Sequence, residues 1–153
     1  MKKFLLLFVF PFFSNCMAQK NLSNHVSVDS LVTAIDRDHS LKNLAIEVPG
    51  MTTEGSAFVG YYDDKSNDIR KLVVRHFGEM GNTATTYYIE ENQLIYQKRL
   101  SNNYDKPFYM KEHTVKSDSV AINCLSKKSG CDQSSFANDL SVFRKEFEKR
   151  IAH

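Results

Sequence analysis

Between residues 55 and 100 the chain consists of short runs rich in β-branched and aromatic residues, separated by brief polar connections. The runs are GSAFVGYY, IRKLVVRHF, ATTYYIE and QLIYQKRL, and the connections are DDKSND, GEMGNT and ENQ. Runs of this composition are typical of strands, and connections this short can join only antiparallel neighbours. The sequence therefore predicts an antiparallel meander, with further strands in PFYMKEHTV and SVAINCL. The segment EVPG ahead of the first run predicts a turn.

A helix is predicted on each side of this region. The first should begin after a cap at Ser27 and end near His39, because apolar residues recur there at the spacing of one helix face: Val28, Leu31, Val32 and Ile35. The second follows Cys131, with Ser134 or Ser135 as its cap, and carries the apolar stripe Phe136, Leu140, Phe143, Phe147 and Ile151. The predicted fold is α+β: an antiparallel β-meander sheet packed on one face by an N-terminal and a C-terminal helix.

The first 18 residues have the pattern of a secretory signal peptide. Two lysines precede the apolar run Phe4–Phe13, and small and polar residues follow as far as Ala18. The run is too short to span a bilayer. We therefore predict cleavage near Ala18 and a single α+β domain of residues 19–153 that is periplasmic or secreted. The alternative is a lipoprotein attached through Cys16, although the residues before this cysteine are unusual for such a site.

The charge balance gives no sign of a nucleic-acid partner. The chain has 20 basic and 18 acidic residues. Removal of the signal peptide takes away Lys2 and Lys3 but no acidic residue, which leaves 18 of each. Nucleic-acid-binding domains usually carry a clustered basic face, and the sequence does not indicate one. We expect no nucleic acid and no transmembrane span, while the oligomeric state is left open.

Cys124 and Cys131 enclose the short segment LSKKSG. In an oxidising compartment this spacing predicts a disulfide across a loop. The alternatives are two free thiols or a bond to another chain. A redox-active pair more commonly has two intervening residues, so the predicted role of the bond is structural.

Two of the polar connections share features with ligand-binding loops. GEMG, Gly78–Gly81, has the spacing of a loop that holds phosphate or nucleic-acid backbone, but such loops adjoin helices, and here a strand-like run follows. DDKSND, Asp63–Asp68, is rich in acidic residues but lacks the central glycine and the terminal glutamate of a calcium loop. We predict that both connections are hairpin turns.

The histidines do not form a metal-binding or catalytic motif. They show neither HxxxH nor HExxH spacing, and they are His25, His39, His76, His113 and His153. The chain also lacks the GxSxG and SxxK motifs of common nucleophiles. We therefore expect no metal site, no cofactor and no catalytic residues. An enzyme whose site is assembled from dispersed residues would need a histidine such as His76 within hydrogen-bond reach of a carboxylate.

The tyrosines are the positive functional signal. Tyr61-Tyr62 and Tyr87-Tyr88 are adjacent pairs, so strand alternation must send one ring of each pair to each face of the sheet. Tyrosine and arginine combine a large contact area with hydrogen bonding. The predicted binding residues on the open face are Tyr62, Arg75, Tyr88 and Tyr96. Half-buried strands also contain tyrosines for structural reasons alone.

The same region resembles small exported bacterial α+β proteins. The resemblance runs from Gly55 to Tyr109 and rests on the segments YYDD, KLVVRHFGEMG, TTYYIE, NQLIYQ and YDKPFY, with a helix before them. It implies the meander and a bacterial source. It implies no catalytic residue.

The sequence thus favours a non-catalytic exported binding domain. In this hypothesis a Tyr/Arg-bearing sheet face contacts a protein or envelope component, and inhibition of an extracytoplasmic hydrolase is one form that the role could take. The second hypothesis is a carrier of a small apolar ligand, with a cavity between the sheet and a helix. The third is the enzyme with a dispersed site.

Overall fold

The structure is a computed structural model that describes residues 27–126 and 130–151. The predicted signal peptide, Cys16, the cleavage position near Ala18, His25 and His153 lie outside the described residues. The elements follow one another as α1 (Val28–Arg37), β1 (Lys42–Val48), β2 (Ser56–Tyr62), β3 (Ile69–Gly78), β4 (Gly81–Glu90), β5 (Gln93–Tyr104), β6 (Val115–Asn123) and α2 (Gln133–Ile151). The predicted α+β class, with a meander between two helices, is confirmed.

All six strands form one antiparallel sheet in the order β1-β2-β3-β4-β5-β6. The GEMG segment is the corner between β3 and β4, where Gly78 pairs with Gly81. A Cβ on Gly81 would lie 2.3 Å from the carbonyl oxygen of Asn102, so a larger residue would force the strands apart. The DDKSND segment is also a turn, in which the Asp63 carboxylate accepts two backbone N–H groups. Both hairpin predictions are confirmed.

Two strand assignments differ from the prediction. β1 includes the first two residues of the predicted EVPG turn, Glu47 and Val48. The sequence does not indicate this strand, because its apolar residues alternate with polar or small ones over only seven positions. PFYMKEHTV is not a strand, since the chain is irregular from Asp105 to Thr114 and only Val115 belongs to β6. Pro107 has no backbone N–H to contribute to a strand ladder.

The helix caps agree with the prediction for α1 and differ for α2. The Ser27 side chain accepts the backbone N–H of Ser30, as expected of an N-cap. At α2 the cap is Asp132, whose carboxylate accepts the backbone N–H of Ser135 at 3.0 Å. The prediction of Ser134 or Ser135 is therefore wrong. A carboxylate is among the best N-caps and also interacts favourably with the helix dipole.

The two helices cover opposite faces of the sheet, which corrects the prediction that both pack on one face. α2 packs through Phe143 on the larger cluster, which contains Tyr87. α1 packs through Val32 on a smaller cluster, which contains Tyr88 and Ile95. The physical reason is strand alternation, since neighbouring rings of β4 point to opposite faces and each needs its own cover.

Aromatic rings fill the space between the sheet and α2. The predicted stripe is buried at Phe136, Leu140, Phe143 and Phe147, whereas Ile151 at the end of the helix is exposed. A Cβ on Gly60 would lie 2.2 Å from Cζ of Phe143, so β2 and α2 meet where the strand has no side chain. The Tyr62 ring contacts Phe147 edge-on at 4.7 Å between ring centres.

Cys124 and Cys131 form the predicted disulfide. Their Cα atoms are 5.7 Å apart, and the buried Cys124 belongs to the larger cluster. The bond joins the residue after β6 to a residue just before α2. It therefore fixes the start of α2 beside the sheet, and such a pair is compatible with an extracytoplasmic protein.

Candidate functional site

The buried polar side chains of the described residues gather on the α2 side of the sheet. They are Ser56, Thr85, Gln97 and Asp139, and each is at most 6% exposed. The three sheet residues occupy alternate rungs, which share one face of the sheet: Ser56 pairs with His76, Thr85 with Arg99 and Gln97 with Tyr87. Burying a polar group costs free energy unless it is satisfied. A group of such residues in one place is therefore the clearest sign of a functional site.

Asp139 is the centre of this group. One carboxylate oxygen, Oδ2, accepts a hydrogen bond of 2.9 Å from the Tyr87 hydroxyl. The other, Oδ1, lies 3.9 Å from Nε2 of His76, which is too long for a hydrogen bond. Burial raises the pKa of the Asp139 carboxyl above its ordinary value, and the contacts with Tyr87 and His76 only partly oppose this effect. Burial also raises the pKa of the Tyr87 hydroxyl, which stays protonated and able to donate.

Ser56, His76 and Asp139 contain the residue types of a hydrolytic triad, but their arrangement differs. The Ser56 hydroxyl lies 2.8 Å from Nδ1 of His76, and Asp139 lies nearer to Nε2. In the hydrolytic triad, serine uses Nε2 and the acid uses Nδ1. Ser56 is also almost fully buried. Its hydrogen bond therefore fixes the orientation of the His76 ring and does not present a nucleophile.

A cleft of about 370 Å³ opens beside this group. The sheet lines it with Thr83, Thr85, Gln97 and Arg99, and the start of α2 lines it with Ser134, Asn138 and Asp139. Arg99, Ser134 and Asn138 are exposed, so the cleft is open to solvent at its mouth. Its floor is formed by three members of the buried polar group, Thr85, Gln97 and Asp139.

The first turn of α2 is anchored at this cleft by two polar contacts. The Gln97 side-chain oxygen accepts the backbone N–H of Asp132 at 3.2 Å. Hydrogen bonds from the Ser135 backbone and hydroxyl, and from the Ser134 hydroxyl, lower the pKa of Asp132, which therefore stays charged. This carboxylate occupies the end of the helix where an anion would otherwise bind. The cleft is consequently a poor place for an anionic ligand.

The structure separates the four predicted binding residues. Tyr88 is 3% exposed beneath α1, where its hydroxyl donates to Asp36 at 3.0 Å. Tyr96 lies next to Tyr88, with 5.9 Å between ring centres. Tyr62 is on the opposite face against Phe147. Arg75 is exposed on the part of the α1 side that α1 does not cover.

Sequence reasoning considered His76 but missed the buried polar side chains of the cleft. Asp139 offered a signal, because it lies three residues after Phe136 and four before Phe143, within the apolar stripe. An acidic residue in such a stripe indicates a buried charge. Thr85 and Gln97 carried no comparable signal, since polar residues are ordinary in half-exposed strands.

Two further properties concern the described ranges 27–126 and 130–151. No three histidine, cysteine, aspartate or glutamate residues there come together in a way that could hold a metal ion. Within the same ranges, neither helix has both the length and the apolar character needed to cross a bilayer.

Comparison with known proteins gives no relative from which a function could be transferred. No protein-family model matches the chain, and searches of curated proteins and of solved structures found no match. Function must therefore be inferred from the chemistry of the cleft.

Proposed function

We propose that the protein is an exported, non-catalytic binding domain whose recognition centre is the cleft at the start of α2. The ligand is a neutral, hydroxyl-rich group, such as a saccharide unit of an envelope component. The observation that carries this proposal is the gathering of the buried Thr85, Gln97 and Asp139 beneath one opening. Convergent polar groups at a cleft, together with a carboxyl group of raised pKa, are typical of a binding site.

The ligand class follows from the mixture of donors and acceptors. In its ionised form the Asp139 carboxylate only accepts hydrogen bonds, whereas the Arg99 guanidinium only donates them. The Gln97 and Asn138 amides can do both. A hydroxyl group also donates and accepts, so adjacent hydroxyls can satisfy both kinds of partner. A site built in this way discriminates strongly against molecules that lack the hydroxyls.

Charge and size support a small neutral ligand. Arg99 contributes one positive charge at the cleft and Asp132 one negative charge, while burial disfavours the charged form of Asp139, so neither a strong anion nor a strong cation is favoured. The volume of about 370 Å³ falls within the range of small-molecule sites. Because the mouth is open, the ligand can be one unit of a longer chain.

The other functional hypotheses have less support. The Phe143 ring occupies the space above Gly60, which leaves little room there for an apolar ligand. The distance of 3.9 Å between His76 and Asp139, together with the burial of Ser56, argues against an enzyme. Arg75, beside the exposed Leu100 and Phe77, remains a second surface that could contact a protein partner, including an extracytoplasmic hydrolase.

Calorimetric titration of residues 19–153 tests the proposal. The probes are the neutral disaccharides lactose, maltose and diacetylchitobiose, with glucose 1-phosphate and glucosamine as charged comparisons. We expect at least one neutral sugar to bind, and Asp139→Asn to weaken that binding about tenfold or more, since a lost charged hydrogen bond costs about 1.5–3 kcal/mol. Asp68→Asn changes an exposed turn residue and should leave the affinity unchanged.

Two results would overturn the proposal. One is the absence of binding by all the neutral sugars up to millimolar concentrations. The other is equal affinity of the wild type and Asp139→Asn for a sugar that does bind. Tighter binding of the phosphate or of the amine would assign the cleft to a different ligand class.

A further inference from the structure

Within the described residues 27–126 and 130–151, no strand pairs with the outer edge of β6. β6 pairs with β5, and it is the last strand in the order of the sheet. Its residues from Val115 to Ala121 are all exposed, including Val115 at 52% and Val120 at 46%. Such an edge presents a row of unpaired backbone N–H and C=O groups, which can pair with another strand.

The charges on this edge have a self-complementary pattern. Lys116 and Asp118 flank Ser117, and residues two apart in a strand share one face of the sheet. If a second, antiparallel copy of β6 is placed with Ser117 on a two-fold axis, each Lys116 lies directly opposite Asp118 of the second copy. Opposite charges at directly paired positions stabilise a sheet.

We propose that two copies of the chain pair through β6 in this register. The paired segment is Val115–Ser119, and the two six-stranded sheets become one continuous sheet. The exposed Val115 then lies beside Ser119 of the second copy. An interface of this kind is isologous, because the same strand serves both partners.

Charge also excludes the neighbouring symmetric registers. An axis through Lys116 would place two lysines opposite each other, and an axis through Asp118 would place two aspartates opposite each other. Like charges at directly paired positions are destabilising. The register centred on Ser117 is therefore the one that the side chains favour.

The geometry of the pair has a consequence for the clefts. The two-fold axis of antiparallel strands is perpendicular to the sheet, so both α2 helices lie on the same side of the joined sheet. Both clefts then open on that side. The segment Val115–Ser119 also keeps the disulfide at Cys124 away from the centre of the interface.

Sedimentation velocity over a range of concentrations tests the pairing. The wild type should sediment as a dimer, and Lys116→Asp and Asp118→Lys should each weaken dimerisation at least tenfold, because each places like charges in contact. An equimolar mixture of the two variants should form a heterodimer, since all its opposite positions carry unlike charges. The doubly exchanged variant Lys116→Asp/Asp118→Lys should also dimerise.

The matched control is Lys65→Asp in the turn between β2 and β3, which should leave the dimer intact. Circular dichroism of each variant verifies that it is folded. A wild type that is monomeric from micromolar to millimolar concentrations would overturn the proposal. Single variants that dimerise as well as the wild type would also overturn it, and so would a mixture that stays monomeric.

Discussion

Asp139 lies on the apolar stripe of α2, three residues after Phe136 and four before Phe143. A carboxylate at this position loses hydration when the helix packs, which disfavours its charged form. Tyr87 donates one hydrogen bond to it, His76 stands 3.9 Å away, and Asp132 adds a like charge nearby. The protonation of Asp139 should therefore be visible in the stability of the fold.

Asp139→Asn should change how stability depends on pH. Burial raises the folded-state pKa of Asp139 above its ordinary value of 3.8. The stabilisation that Asp139 gives the folded state is therefore fully present below its unfolded-state pKa, and it is lost as the pH rises through its folded-state pKa. Urea unfolding at a series of pH values should show the wild type losing stability relative to Asp139→Asn over this interval. Parallel curves, or a relative gain by the wild type, would contradict the assignment.

The sequence predicts that Asp139 lies on the buried face of α2, but it does not predict which residues contact its carboxyl group. The spacing of the phenylalanines identifies the buried face of α2, and the acidic residue on that face stands out. Tyr87, which donates the hydrogen bond, is 52 residues away in the sequence. No short-range sequence pattern links Tyr87 to Asp139, because their contact depends on how α2 crosses the sheet. The buried polar group therefore emerges only from the three-dimensional arrangement.

At the scale of the elements, β2 and α2 are in close contact at Gly60. The Phe143 ring occupies the place of the missing side chain. The aromatic stripe of α2 thus packs directly on the backbone of a strand. This contact determines how near the helix, and with it one wall of the cleft, comes to the sheet.

Gly60→Ala should destabilise the protein by about 1–3 kcal/mol, the usual cost of overpacking a core. The added Cβ would lie 2.2 Å from the Phe143 ring, so the helix or the strand must move. The free energy of unfolding in urea measures the loss. Gly130→Ala is the control, because its Cβ would lie 3.4 Å from Ile122 and needs only a slight adjustment. A smaller loss for Gly60→Ala than for Gly130→Ala would disprove this packing.

The elements differ in how far their sequences determine them. The meander follows from short turns and β-branched runs, and the helices follow from their apolar spacing. The faces covered by the helices do not follow, because Tyr87 and Tyr88 both need burial and either helix could cover either ring. PFYMKEHTV has the composition of a strand, but Pro107 and the surrounding turn prevent regular pairing there.

At the scale of the whole molecule, the described residues form two apolar clusters of unequal size on opposite faces of the sheet. The cluster under α2 contains 13 buried residues. The cluster under α1 contains five. Local opening costs least where little apolar surface is buried. The two helices should therefore differ in their resistance to opening.

Hydrogen exchange followed by mass spectrometry should show this difference directly. Backbone amides of α1 should exchange at a lower opening free energy than those of the central turns of α2. Val32→Ala should accelerate exchange in α1 and leave α2 unchanged, because Val32 belongs to the smaller cluster. Equal protection of the two helices, or a change in α2 caused by Val32→Ala, would show that the clusters are not independent.

The disulfide between Cys124 and Cys131 sets a condition on the maturation of the cleft. It joins the end of β6 to the start of α2, next to Asp132 and its bond with Gln97. In a reduced chain the first turn of α2 loses this tether, and the helical wall of the cleft is less well positioned. If the protein is exported and binds a ligand at the cleft, as proposed above, we expect the reduced chain to bind less tightly than the oxidised one, so that full binding develops only after the bond has formed.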